Sequence, residues 1–159
     1  MILKVLTDYE EPLRLKSAPT LITEEVKELV RDLKDTMLSQ NGVGLAAPQV
    51  GVNLRVIVIQ LISAGKLVGP VQEMINPVIT KSSTEIVGYE EGCLSIPGEF
   101  YSIQRPSTID VKFQTLNGRY KRWYLRGLEA RVVQHELDHL DGILMVDRRE
   151  GGFDENLPG

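Results

Sequence analysis

From Thr23 onward, Val26, Leu29, Val30, Leu33 and Met37 recur three and four residues apart, the spacing of a single helix face. Thr23 can cap the start, Glu24 and Glu25 suit the positive end of the helix dipole, and Asn41-Gly42 stops the run. This is an amphipathic N-terminal helix whose apolar face is expected to pack on a sheet. A second helical stretch runs from about Gly127 to His139, with Leu128, Val132, Val133, Leu137 and Leu140 as its apolar positions and Gly142 as its stop. Between the two the period changes. Leu54 to Leu61 is β-branched and apolar, a buried strand; Gln72 to Thr80 is a strand that Pro77 places at an edge or on a bulge. Thr84 to Tyr89 is a further strand. Thr108 to Thr115 sets Ile109, Val111 and Phe113 against Asp110, Lys112 and Gln114, the alternation of a half-buried strand. Asn117-Gly118 is a hairpin signal, with Arg119 to Leu125 returning as the partner. Ala64-Gly65-Lys66 reads as a turn, and Pro12 and Pro19 keep residues 1–20 irregular.

These elements predict an α+β fold: antiparallel strands packed around a central C-terminal helix, with the N-terminal amphipathic helix against the sheet. Residues 1–146 form a single domain, and the polar, glycine-rich stretch 147–159 is expected to be loose. The length of 159 residues suffices for one core, and 42 % apolar with 25 % charged residues is ordinary for a globular protein. A net charge of −4 argues against a binder of phosphate backbones. The single cysteine excludes an internal disulfide. Met1 to Leu6 is too short an apolar run for a signal peptide, and no stretch approaches the ~20 apolar residues of a membrane span. The expected setting is the cytoplasm or an organelle interior, without direct nucleic-acid or membrane binding.

The chemistry concentrates in Gln134-His135-Glu136-Leu137-Asp138-His139, which holds both histidines of the chain. Four residues apart on a helix, two imidazoles lie on one face and can grip one metal ion, with Glu136 beside them as acid and base: the H-E-x-x-H arrangement. A catalytic metal usually takes three protein ligands and keeps an open position. Of the downstream acids, Asp141 and Asp147 precede Glu150, Asp154 and Glu155 of the expected tail. Cys93, in the turn Glu90-Glu91-Gly92-Cys93-Leu94-Ser95-Ile96-Pro97-Gly98, is the better third ligand. A Cys-His-His set suits zinc or ferrous iron, and ligand type alone does not choose between them. The loop Gly42-Val43-Gly44-Leu45-Ala46-Ala47-Pro48-Gln49-Val50-Gly51 lets a backbone come close to a partner, and Gln49 is its one strong hydrogen-bonding side chain. Three readings remain open on these residues: a metal hydrolase, a metallopeptidase with another third ligand, and a metal-binding module without activity.

Three stretches together resemble the peptide deformylase family: Gly42 to Gln49, Glu91-Gly92-Cys93-Leu94-Ser95, and Gln134 to His139. The resemblance covers about residues 1–146. It implies removal of the N-formyl group from the formyl-methionine of newly made polypeptides, with release of formate. It implies that Cys93, His135 and His139 hold one divalent metal, ferrous iron in the family, with zinc, nickel or cobalt as substitutes in purified protein. By the same resemblance Glu136 is the general acid and base, and Gln49 and the Leu94 N–H hold the oxyanion. Gly44 pairs with the substrate backbone, and Val43, Tyr89, Leu128 and Val132 line the methionine pocket. Helical spacing independently sets Leu128 and Val132 on the His135 face. Glu91 is expected to pair with Arg105 and steady the cysteine turn, and residues near Phe100 and Tyr101 to tune side-chain preference. The implied partners are nascent formyl-methionyl peptides, with transient ribosome proximity, and the implied state is a monomer. Many bacterial members continue into a C-terminal helix where this chain has 20 residues beyond His139. That leaves a bacterial, an organellar or a phage origin equally consistent, the last with activity in the infected host's cytoplasm.

Overall fold

Helix α1 (Glu24–Ser39) starts at Thr23, whose side chain accepts a hydrogen bond from the Val26 N–H at 3.2 Å. Its buried stripe of Val26, Leu29, Val30, Leu33 and Met37 packs on one face of a sheet, against Leu45, Val56, Val58 and Ile75. Helix α2 (Gly127–Leu140) covers the other face, against Ile57, Ile59, Met74, Ile109, Val111 and Phe113. Strand β2 (Val56–Ser63) therefore feeds alternate side chains into two cores. That explains why its sequence is a continuous apolar run and not an alternation. The computed structural model describes residues 1–8, 10–63 and 66–149.

The main sheet has five antiparallel strands in the order β1-β2-β3-β6-β7, where β1 is Gly44–Ala46, β3 Lys66–Ser82, β6 Thr108–Gln114 and β7 Tyr120–Arg126. A separate hairpin joins β4 (Ile86–Cys93) to β5 (Ile96–Pro106). Strand β3 is interior, so of the two options for Pro77 the bulge is the one realised. The register with β6 slips between Ile75 and Val78, and Asn76 takes a positive φ of 52°. The glycine-alanine loop contains the short strand β1 followed by a 3-10 turn, Ala47–Val50. Strand β5 has no counterpart among the strands expected from the pattern; Pro97, Gly98 and Pro106 disguise it. The turn expected at Ala64-Gly65-Lys66 lies mostly outside the described residues.

The first residues of the stretch expected to be loose are held in place. Asp147 and Arg148 belong to helix α3 (Met145–Arg148), and Arg149 bridges to Ile103. The polar residues there are held by charge: Asp147 pairs with Arg14, and Arg148 donates to Asp138 at 2.6 Å. Met145 and Val146 close a small core with Leu13, Ile96 and Ile103 under the hairpin. Residues 150–159 lie outside the described part. Among the described residues no helix is long and apolar enough to cross a membrane.

Candidate active site

Helix α2 presents His135 and His139 on one face, with ring centroids 5.2 Å apart. The hairpin turn after β4 brings Cys93 to them. Its Sγ lies 3.3 Å from His139 Nε2, and the ligand atoms of Cys93, His135 and His139 all fall within 4.8 Å of one another. Two imidazoles and a thiol that close could hold one metal ion. The remaining nitrogen of His135 supports this, because Nδ1 meets Glu91 Oε1 at 2.9 Å. A carboxylate on Nδ1 fixes the tautomer and turns Nε2 inward as a donor. Burial alone would lower the His135 pKa, but hydrogen bonds to Cys93 and Glu91 outweigh it and raise it well above the ordinary value. His139, buried beside His135, is pushed well below its ordinary value, which keeps its ring neutral as a ligand must be. Its Nδ1 has no partner among the described residues.

Glu91 is the hub behind the ligands. Arg105 grips it with both arms, Nε to Oε2 at 2.7 Å and Nη2 to Oε1 at 3.0 Å. Arg131 adds a bond of 2.7 Å from one turn up α2. Burial would raise the Glu91 carboxyl, yet the bonds from His135 and Arg105 hold it well below the usual carboxylate range. Arg105 also donates to Asp138 at 2.8 Å, and Asp138 accepts from Arg148. The expected Glu91–Arg105 pair is thus one edge of a larger network. Arg131, Asp138 and Arg148 were not singled out in the sequence. The signal for the first two was available, since they stand four before and three after His135 on the same helix face.

Glu136 points the other way, into a cavity of about 590 Å³ that Cys93 and His135 also line. Its Oε1 is buried with no partner among the described residues, and burial pushes its pKa up to about 7. Gln49 is fixed at both ends: Oε1 accepts from the Ala46 N–H at 2.9 Å, and Nε2 donates to Ser95 Oγ at 3.1 Å with Cys93 Sγ 3.7 Å away. The N-terminal segment ties both supporting loops down, Leu6 N–H to Gln49 O at 2.7 Å and Asp8 N–H to Ser95 O at 2.6 Å. Gly44 lies against the acid, for a Cβ there would sit 2.7 Å from Glu136 Oε2 and 3.0 Å from Val132 Cγ1. At Gly92 a Cβ would meet the ring edge of Phe100 at 2.7 Å, but that ring is exposed and free to shift. Val43, Gly44, Tyr89, Leu94, Leu128 and Val132 all border the cavity, whereas His139 reaches the site through Cys93 and His135, and Tyr101 packs against the small core instead of lining the cavity. Phe100 does border the cavity, 63 % exposed at the rim.

Fold and site define an α+β protein with a Cys-His-His group able to hold a metal beside a largely apolar cavity. The chain belongs to the polypeptide deformylase family, whose sequence profile matches residues 2–152. It is 45 % identical over 129 residues to the peptide deformylase of Prochlorococcus marinus strain AS9601, an alignment covering 81 % of this chain and 64 % of that protein. The match thus spans less than two thirds of that relative's length. Among solved structures it resembles a probable peptide deformylase from Synechococcus phage S-SSM7, at 46 % identity and a TM-score of 0.85, over 92 % of this chain and 99 % of that one. It also resembles a Met-Ala-Ser-bound class I type b peptide deformylase from Acinetobacter baumannii, at 38 % identity and a TM-score of 0.86, over 93 % and 98 % of the two chains.

Proposed function

We propose that this chain removes the formyl group from the N-terminal formyl-methionine of newly made polypeptides, with residues 1–146 as the catalytic unit. The observation that carries the reading is the convergence of Cys93, His135 and His139 within 4.8 Å beside the unpartnered Glu136 carboxyl. The Met-Ala-Ser peptide named for the Acinetobacter relative supports a methionine-led substrate. Cys93, His135 and His139 would hold a divalent metal, ferrous iron by family resemblance, with zinc, nickel or cobalt as substitutes. Bound there, such an ion supplies Lewis acidity and lowers the pKa of water toward neutrality.

The chain's own groups carry the remaining steps. Val43, Tyr89, Leu128 and Val132 offer the methionine side chain an apolar wall, and the Gly44 backbone can run alongside the peptide because no Cβ intervenes. As water adds to the formyl carbon, Gln49 Nε2 and the Leu94 N–H donate to the oxygen that gains charge. Loss of one such donor typically costs about 3–4 kcal/mol of transition-state stabilisation. Glu136 takes the water's proton and returns it to the departing amine nitrogen. A carboxyl poised at about 7 suits both halves of that transfer. The C–N bond breaks, giving formate and a free amino terminus. The test is formate release from formyl-Met-Ala-Ser by protein loaded anaerobically with ferrous iron or nickel. Cleavage of the Met-Ala bond without formate, or no turnover with either metal, refutes the proposal.

A further inference from the structure

Strand β7 is an outer edge of the main sheet, and its solvent face alternates aromatic and basic residues. Tyr120, Arg122, Tyr124 and Arg126 are exposed, whereas Leu125 is buried and Trp123 packs edge-on against Phe113. The register sets Gln114, Lys112, Asp110 and Thr108 of β6 beside those four residues in turn, and Lys81 of β3 beside Asp110. That face gathers Lys81, Lys112, Arg122 and Arg126 around one acid, Asp110, in a chain of net charge −4. The overall charge therefore conceals a local basic face. Among the described residues Lys81, Lys112, Arg122 and Arg126 have no carboxylate partner; Lys112 Nζ instead stands 4.8 Å over the Tyr120 ring.

Edge strands often carry lysines that block pairing with other sheets. That purpose does not call for tyrosines, and Tyr120 and Tyr124 are each 65 % exposed. At ~3.3 Å per residue the two rings stand roughly 13 Å apart along the strand. They can each take a base, with Arg122 between them facing the linking phosphates. A sheet face with exposed aromatic rings amid cations is the chemistry that holds unpaired bases by stacking, tolerant of sequence.

We infer that the β6–β7 face binds single-stranded RNA, bases on Tyr120 and Tyr124 and phosphates on Lys81, Lys112, Arg122 and Arg126. RNA is chosen over DNA because chains still being made are surrounded by RNA; that clause rests on the proposed activity. Strand β7 also runs straight into α2, two residues before the cavity-lining Leu128.

The test is fluorescence anisotropy of a short labelled oligouridine titrated with the full chain at low and raised salt. Saturable binding is expected, with a slope of log affinity against log salt of roughly −2 to −3 if four cations each displace a counterion. Tyr120→Ser with Tyr124→Ser should weaken binding roughly tenfold or more. Lys112→Gln with Arg122→Gln should flatten the slope by roughly 1 to 1.5. Neither pair should alter formate release, which is read separately, so a missing deformylation and a missing RNA complex are distinct results. The inference is overturned by absent saturable binding, by binding that survives both double variants, by equal affinity for the matching oligodeoxyuridine, or by preference for phosphatidylglycerol vesicles.

Discussion

Arg105→Met tests the claim that charge, more than apolar packing, holds the cysteine hairpin against the ligand helix. Arg105 is 4 % exposed and makes three charged hydrogen bonds, two to Glu91 and one to Asp138. Methionine fills similar space and donates nothing. Removing one partner of a buried pair typically costs about 3–5 kcal/mol. Here Glu91 keeps Arg131 and His135, and Asp138 keeps Arg148, which argues for the lower end, about 3 kcal/mol. Against a domain stability of roughly 5–15 kcal/mol that is a large loss, readable as a shifted urea midpoint. Metal affinity, measured by competition with a chelator, should fall roughly tenfold or more because Glu91 orients His135. The pH dependence has a definite sign. Glu91 ionises in the folded chain below its ordinary value of 4.5, so its contribution is present above that pH and is lost as pH falls through the lowered value. The variant should lose less stability than wild type over that acid range. Arg105→Lys, which keeps charge without the fork, should fall between the two. If Arg105→Met unfolds within about 0.5 kcal/mol of wild type and binds metal equally well, the network is not what positions His135.

Glu136→Gln should retain metal and lose turnover by two orders of magnitude or more, read by metal analysis beside formate release. In metal-free protein the same substitution should gain on wild type by about 3 kcal/mol as pH rises from 4.5 to about 7, because a carboxyl raised to about 7 destabilises the fold as the unfolded chain ionises first; parallel urea curves at several pH values would measure it. Gly44→Ala places a methyl 2.7 Å from Glu136 Oε2, and formate-release kinetics should show at least a tenfold loss with an overpacking cost of about 1–3 kcal/mol. Cys93→Ala should leave too few ligands for a stable complex, and elemental analysis of purified protein should find the metal lost.

The two helices and the β6–β7 hairpin were legible because their patterns carry the period of the element they form. Thr23 as cap and Asn117-Gly118 as turn added local chemistry that points the same way. Strand β5 was not legible. Its early residues, Pro97 to Phe100, are exposed and Pro97 and Gly98 suggest a turn, so the alternation is confined to the short run from Tyr101 to Arg105, where a charged residue takes one of the buried places. The His135–His139 pair and the face carrying Leu128 and Val132 could be read from short helical spacings, whereas Val43 and Tyr89 came only with the family resemblance. The network behind the ligands could not be assigned in full. Arg148 reaches the buried Asp138 from α3, in a stretch whose polarity suggested a free tail, and only the folded chain shows that its charges are paired. Likewise Gly44 looks like a generic flexible residue in sequence, whereas the buried Glu136 carboxyl and the Val132 side chain leave no room for a Cβ there.

Why the site needs such a network follows from where its parts come from. The two apolar cores bind α1 and α2 to the main sheet, while the β4–β5 hairpin meets a smaller core with α3 and touches the α1 core only through Leu94 at its turn. Cys93 thus sits on an element with little apolar packing against α2. The seam between hairpin and α2 is polar, since it contains Cys93, His135 and His139, and a polar buried seam is tolerable only when each charge is met. Glu91 and Arg105 on the hairpin interleave with Arg131, His135 and Asp138 on α2, and Arg148 closes the far end. Such a set contributes less to net stability than an apolar seam of equal area could, but it admits one register only. A slip of one residue along β4 would turn Glu91 away from His135 and Arg131, and the register shift between Gly92 and Cys93 then sets the thiol beside His139.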